Sequence, residues 1–218
     1  MLVETQAVGP IFKNGFIVAC DRTGEAVFID PGDEVGSLLA FAAGKKLSIR
    51  YILLTHAHID HVTGVPEAKR ALKVPIYLHR EDLFLYEGAV EQARMFGLRM
   101  EPPPPIDHFY EKGDVIRFGD LEARPHHTPG HCPGGVCLEI RQVGQVGQAG
   151  QAGTDLFVGD TLFAGSIGRT DLVGGDYETL MASIRNVLFA FGDDARVYPG
   201  HGESTTIGRE RRTNPFLI

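Results

Sequence analysis

Arg50-Tyr51-Ile52-Leu53-Leu54-Thr55-His56-Ala57-His58-Ile59-Asp60-His61 is the stretch from which the fold can be read outward. Arg50 to Leu54 is a short apolar run of the kind that forms a strand, and it feeds straight into Thr55 and His56. The second half sets four metal-competent side chains, His56, His58, Asp60 and His61, within six positions. A strand end delivers side chains rigidly, and the loop after it lets alternate residues converge on one point. Neutral imidazole and carboxylate are the ligands that borderline divalent metals favour. The whole chain holds 9 histidines, so three in one hexapeptide is more than a polar loop that happens to be rich in histidine.

On either side the pattern alternates between the periods of strand and helix. Phe16 to Cys20 and Ala26 to Asp30 are apolar runs around Asp21-Arg22-Thr23-Gly24, a hairpin pattern. Asp30-Pro31-Gly32 reads as a turn, and Val35 to Ala43 has helical spacing that stops at Gly44. Helices are expected over Val62–Leu72 and Glu81–Phe96, with a strand at Ile76–His79 between them. Glu101-Pro102-Pro103-Pro104-Pro105 cannot be helix interior or central strand, because proline lacks the donor and fixes φ, so it is expected to be an extended connector. Val115–Phe118 and Leu121–Arg124 form a second hairpin pattern, and Gly135–Ile140 and Leu156–Gly159 read as strands. The repeat from Gln142 to Gly153 has no acid, base or aromatic residue, and is expected to be a flexible hairpin loop. A helix over Tyr177–Phe191, a strand at Arg196–Tyr198 and a short helix before Pro215 close the chain. Strand-rich and helical stretches alternate roughly twice over. That order suits an α/β fold of two packed sheets with helices outside, an αββα sandwich, as a single domain over residues 1–218.

Three later positions repeat the placement of His56. His131 follows Thr128-Pro129-Gly130, Asp160 closes Phe157-Val158-Gly159, and His201 closes Val197-Tyr198-Pro199-Gly200. Taken singly, each would be a turn former or a surface residue. Their common position after an apolar run and a glycine or proline turn would let all three project from one edge of a sheet.

Composition narrows the function classes. The chain has 218 residues, 43% hydrophobic and 22% charged, so it can bury a substantial core. Its net charge is −7, which argues against a broad basic face for nucleic acid. No apolar run approaches the roughly 18 residues that a membrane span needs. The opening MLVETQAVGP carries an acid where a signal peptide carries positive charge. Cys20, Cys132 and Cys137 are too few, and odd in number, for a disulfide framework. A soluble cytoplasmic chain is expected, with no nucleic acid, membrane or protein partner.

Together, His56, His58, Asp60, His61, His131, Asp160 and His201 resemble the signature of the metallo-β-lactamase superfamily, in order and in spacing over nearly the whole chain. Thr55–His61, His127-Thr128-Pro129-Gly130-His131, Gly159-Asp160-Thr161-Leu162-Phe163, Gly168-Arg169-Thr170-Asp171 and Arg212-Thr213-Asn214-Pro215-Phe216 further resemble the short bacterial glyoxalase II (hydroxyacylglutathione hydrolase) branch. The resemblance implies two divalent metal ions, zinc first with iron or manganese as alternatives. His56, His58 and His131 would hold one ion, Asp60, His61 and His201 the other, and Asp160 would bridge them. It also implies hydrolysis of S-lactoylglutathione, a small-molecule thioester, by a metal-bridging hydroxide. Two dications against two carboxylates leave such a centre positive, which favours deprotonated water near neutral pH. Asp60 could also orient the hydroxide. A thiol with a pKa of about 8.5 leaves as thiolate without a strong general acid.

Arg169 stands where the resembling enzymes place a basic residue for glutathione, although Asp171 replaces their tyrosine two positions later. Only 17 residues follow His201, so the helical extension of full-size glyoxalase II enzymes is expected to be missing, and with it part of the hold on glutathione. His127 is the best placed of the remaining histidines to support a ligand, and Cys132 is expected to pack rather than bind metal. Rival readings are a mononuclear iron persulfide dioxygenase using His56, His131 and Asp160, a lactonase or small-ester hydrolase on the same metal centre, and a non-enzymatic metal- or nucleic-acid-binding module. The last fits poorly with an open strand-end cluster, since structural metal sites are closed tetrahedra.

Overall fold

Apolar strands that run unbroken through a sheet need cover on both faces, and the early strands of this chain are of that kind. Every residue of Lys13–Ala19 is buried, as are the last four of Glu25–Ile29. The computed structural model describes residues 1–8, 12–95, 97–144 and 153–218. By its internal contacts the chain divides into two compact units. The first is Met1–Tyr110 with Phe118–Asp120; the second is Glu111–Arg117 with Leu121–Ile218.

The first unit is built on a six-stranded sheet of β1 (Leu2–Val8), β2 (Lys13–Ala19), β3 (Glu25–Ile29), β4 (Ser48–Leu53), β5 (Ile76–Leu78) and β6 (His108–Phe109), in that order. The first three are antiparallel and the rest run parallel. The hairpin expected around Asp21–Gly24 is present, while β1 and β6 carried no apolar run to announce them. Helix α1 (Gly36–Gly44) falls where the spacing placed it.

Two expected helices are interrupted, each at a glycine. In place of one helix over Val62–Leu72 stand α2 (Ile59–Val62) and α3 (Val65–Leu72). Between them the Gly64 amide donates to the Pro31 carbonyl at 3.0 Å, and a Cβ on Gly64 would sit 2.0 Å from the Gly32 carbonyl oxygen. The Asp30-Pro31-Gly32 turn thus takes the space that a continuous helix would need. In place of one helix over Glu81–Phe96 stand a 3₁₀ turn at Arg80–Asp82, α4 (Leu83–Glu87) and α5 (Ala89–Met95), parted at Gly88; Phe96 lies outside the described residues. The proline run forms no regular element, as expected, and is tied down where the Tyr86 hydroxyl donates to the Pro104 carbonyl at 2.9 Å.

The second unit carries a sheet ordered β14-β13-β10-β9-β8-β7. Its strands are β7 (Ile116–Phe118), β8 (Leu121–His127), β9 (Val136–Gln142), β10 (Asp155–Gly159), β13 (Arg196–Pro199) and β14 (Thr205–Thr206); β11 (Leu162–Phe163) and β12 (Ser166–Ile167) pair separately. Most of the low-complexity loop expected over 142–153 lies outside the described residues. The expected helix over Tyr177–Phe191 is α6 (Tyr177–Asn186), followed by a 3₁₀ turn at Leu188–Phe191. The Asp176 carboxylate caps α6 by accepting from the Thr179 amide at 2.8 Å. α7 (Ile207–Thr213) ends the chain's regular structure. Leu156, Val158, Leu180, Ile184, Leu188, Val197 and Ile207 make one core that fixes β10 and β13 under α6 and α7. Among the described residues no helix is long and apolar enough to cross a membrane.

Candidate metal centre

In the first unit four of the expected ligands follow β4. His56 and His61 are almost fully buried, His58 is 8% exposed, and the Asp60 side chain is partly exposed. Ring centroids lie 5.0 Å apart for His56 and His58 and 4.0 Å apart for His56 and His61. Nε2 of His61 is 3.5 Å from Asp60 Oδ2. The His61 amide donates to the His58 carbonyl at 3.0 Å, which winds the loop into α2 and keeps the side chains together.

These ligands are oriented by a residue that the sequence reading treated only as a turn former. Asp30 is fully buried at the end of β3, in the left-handed region with φ of 48°. Its Oδ1 accepts from the Thr55 amide at 2.7 Å, and its Oδ2 from the Thr55 hydroxyl at 2.6 Å. The same Oδ2 lies 2.9 Å from Nδ1 of His61. A carboxylate in that position fixes the tautomer with Nδ1 protonated and leaves Nε2 with a lone pair that could bind a metal. Thr55 Oγ1 stands 3.1 Å from Nδ1 of His56 and orients that ring likewise. Asp82, fully buried, accepts from the Ala57 amide at 3.0 Å and holds the loop between the first two histidines. The available signal was placement: Asp30 closes an apolar strand just as Asp160 does.

In the second unit the three remaining expected ligands come from separate segments. Asp160 and His201 leave neighbouring parallel strands at the same end, since β10 pairs with β13 in the register Gly159↔Pro199. The Gly200 amide donates to the Gly159 carbonyl at 2.8 Å and locks the two strand ends together. Asp160 Oδ2 lies 3.5 Å from Nε2 of His201 and 3.6 Å from Nε2 of His131. His131 is aimed by the Arg169 carbonyl, 2.8 Å from its Nδ1. Gly168, one residue earlier, must be glycine: a Cβ there would stand 1.9 Å from the Asp160 carbonyl oxygen.

The guanidinium of Arg169 lies on the exposed surface in a two-pronged ion pair with Asp171, both contacts 2.7 Å. That hydrogen-bonded pairing pulls the Asp171 carboxyl down to about 2. His127 is exposed, with Nε2 2.8 Å from the Pro133 carbonyl. Cys132 is fully buried. Cys137 is too, and burial, followed by the nearby Glu139 charge, raises its thiol well above the ordinary range.

The family model described as the metallo-beta-lactamase superfamily matches residues 8–201. The hydroxyacylglutathione hydrolase GloC of Haemophilus influenzae is 38% identical over 94% of this chain and 93% of its own length. Among solved structures, TTHA1623 in a di-iron-bound form is 41% identical with a TM-score of 0.82, covering all of both chains. The BLEG-1 B3 metallo-beta-lactamase is 35% identical with a TM-score of 0.86 over 99% of each chain. The expected fold class stands, and the chain belongs to the metallo-β-lactamase superfamily.

Proposed function

We propose that the chain is a dinuclear metallohydrolase that cleaves a small thioester, S-lactoylglutathione or a related 2-hydroxyacylglutathione, to glutathione and a 2-hydroxy acid. His56, His58 and His131 would hold one divalent ion and Asp60, His61 and His201 the second, with Asp160 shared between them. The donors fit that role. All are imidazole nitrogens and carboxylate oxygens, a set that zinc, iron and manganese accept alike. The observation that carries the reading is the position of Asp160 Oδ2, nearly equidistant from the ligating nitrogens of His131 and His201. A carboxylate so flanked suits a shared ligand better than a simple ion pair.

Bound there, the ions would supply Lewis acidity and a water nucleophile at neutral pH. The rest belongs to the chain's own side chains. Asp30, Thr55 and the Arg169 carbonyl hold three imidazoles in fixed tautomers, so that no reorganisation is needed as the carbonyl becomes an oxyanion. Asp60 would accept a hydrogen bond from the attacking water and direct its lone pair at the carbonyl carbon. The departing thiol needs no strong acid. Arg169 would exchange Asp171 for a carboxylate of the glutathione moiety. GloC lends support to the thioester, and the di-iron form of TTHA1623 supports two ions while leaving iron beside zinc. All three cysteines are free and buried, which agrees with a reducing cytoplasmic setting.

The test is to load the purified protein with zinc, iron or manganese and follow loss of S-lactoylglutathione beside oxygen uptake on glutathione persulfide. Thioester loss abolished by His56→Ala and by His201→Ala is the expected result. Iron-dependent oxygen uptake that survives His201→Ala would move the assignment to a persulfide dioxygenase. Turnover of lactones without thioesters would move it to a lactonase.

A further inference from the structure

Lys13 is a buried charge that the proposed reaction does not use. It opens β2 at 1% exposure, where a lysine is costly unless its ammonium is well engaged. Its Nζ donates to the backbone carbonyl of Asp30. Its stem lies along Gly32, where an added Cβ would meet Lys13 Cδ at 2.9 Å and the Asp60 carbonyl oxygen at 2.3 Å. The lysine therefore touches the turn that carries Asp30 on one side and supports Asp60 on the other. Asp30 itself sits at a positive φ, a backbone state that a non-glycine residue keeps only when its surroundings hold it there.

We propose that Lys13 is a positioning residue for one half of the metal centre. By clamping the Asp30 carbonyl and packing against Gly32, it fixes the Asp30 carboxylate on Nδ1 of His61 and the backbone that presents Asp60. It acts through Asp30 and Gly32. The inference rests on the dinuclear reading, in which Asp60 and His61 hold the same ion. It goes further in assigning that ion's affinity to a strand residue distant in sequence. The cation and its donor are both needed: a neutral apolar chain in the same volume leaves the Asp30 carbonyl without this ammonium and lets the strained turn relax.

The experiment measures zinc binding to metal-free protein by chelator competition, which yields two stepwise dissociation constants. Lys13→Met is expected to weaken one step by about tenfold, as loss of a group supporting a metal ligand commonly does, and to change the other step far less. Lys13→Arg, which keeps the cation and the donor, should restore most of the loss. In a His61→Ala background, Lys13→Met should cost less than it does in the wild type, because only the branch through Gly32 and Asp60 remains. Equal weakening of both steps, or no change in either, overturns the proposal. Should Lys13→Met fail to fold, Lys13→Gln keeps a donor without the charge; its binding constants must fall between those of wild type and His61→Ala, and wild-type values would overturn the inference. If the unmodified protein binds fewer than two zinc ions, the dinuclear reading fails instead, a result separate from any effect of Lys13.

Discussion

The two units present their ligands by different means. In the first, four candidate ligands stand within six residues after a single strand, and local winding into α2 gathers them. In the second, three ligands separated by 29 and 41 residues approach one another because β10 and β13 are parallel neighbours and the segment after Gly130 folds back beside them. A local cluster needs support from beneath, which Asp30, Thr55 and Asp82 provide. A dispersed set needs a rigid sheet and close backbone passages, which the Gly159–Gly200 bond and Gly168 provide. Damage should therefore spread differently through each.

The largest effect should come from the residue that the dispersed set shares. Asp160→Ala removes the carboxylate between His131 and His201, and thioester turnover should fall on the order of a thousandfold with both ions bound more weakly. Steady-state kinetics with metal analysis checks this; a loss confined to one ion would break the assignment of a shared ligand. Asp30→Asn tests the local cluster. It replaces the charged acceptor on Nδ1 of His61 with an amide, and affinity for one ion should drop by roughly 10- to 100-fold, with a smaller loss on the His131 side through Thr55 and His56.

A pair of glycine substitutions sharpens the contrast. Gly168→Ala forces a Cβ against the Asp160 carbonyl, and Gly64→Ala forces one against the Gly32 carbonyl. Each should cost about 1–3 kcal/mol of stability in thermal or denaturant unfolding, the usual range for overpacking. Gly168→Ala should also weaken metal binding more, since the displaced carbonyl belongs to a ligand.

The smallest effect concerns the exposed pair. Arg169 holds the Asp171 carboxyl down to about 2, below its unfolded value. The stabilising contribution is therefore present above about pH 4 and is lost as pH falls toward 2. Arg169→Ala should leave unfolding at neutral pH almost unchanged, because an ion pair this exposed is screened by water. It should instead raise KM for a glutathione thioester with little change in kcat. A fall in kcat would mean that the loss extends to the His131 contact with the Arg169 backbone.

How much could be read in advance follows the same division. The local cluster was legible because its residue types, spacing and preceding strand lie in one window. His131, Asp160 and His201 were legible as strand-end residues, but which of them approach each other depends on strand order, which no window contains. Asp30 was hidden by its neighbours: Asp-Pro-Gly is so good a turn that the buried carboxylate had no separate signal. Lys13 lies ahead of the apolar run from Phe16, and nothing in that window marks it as buried. The broken helices were missed for a related reason. Val62–Leu72 has helical spacing, and only the carbonyl of Pro31, far away in sequence, takes up the Gly64 amide and divides it.

The central proposal is that the chain holds two ions on His56, His58, Asp60, His61, His131, Asp160 and His201. It is tested most directly by counting zinc per chain in protein dialysed to equilibrium, for wild type, His61→Ala and His131→Ala. Two ions in the wild type, falling toward one in each variant, is the predicted result. One ion or none in the wild type, or two retained in either variant, would contradict it.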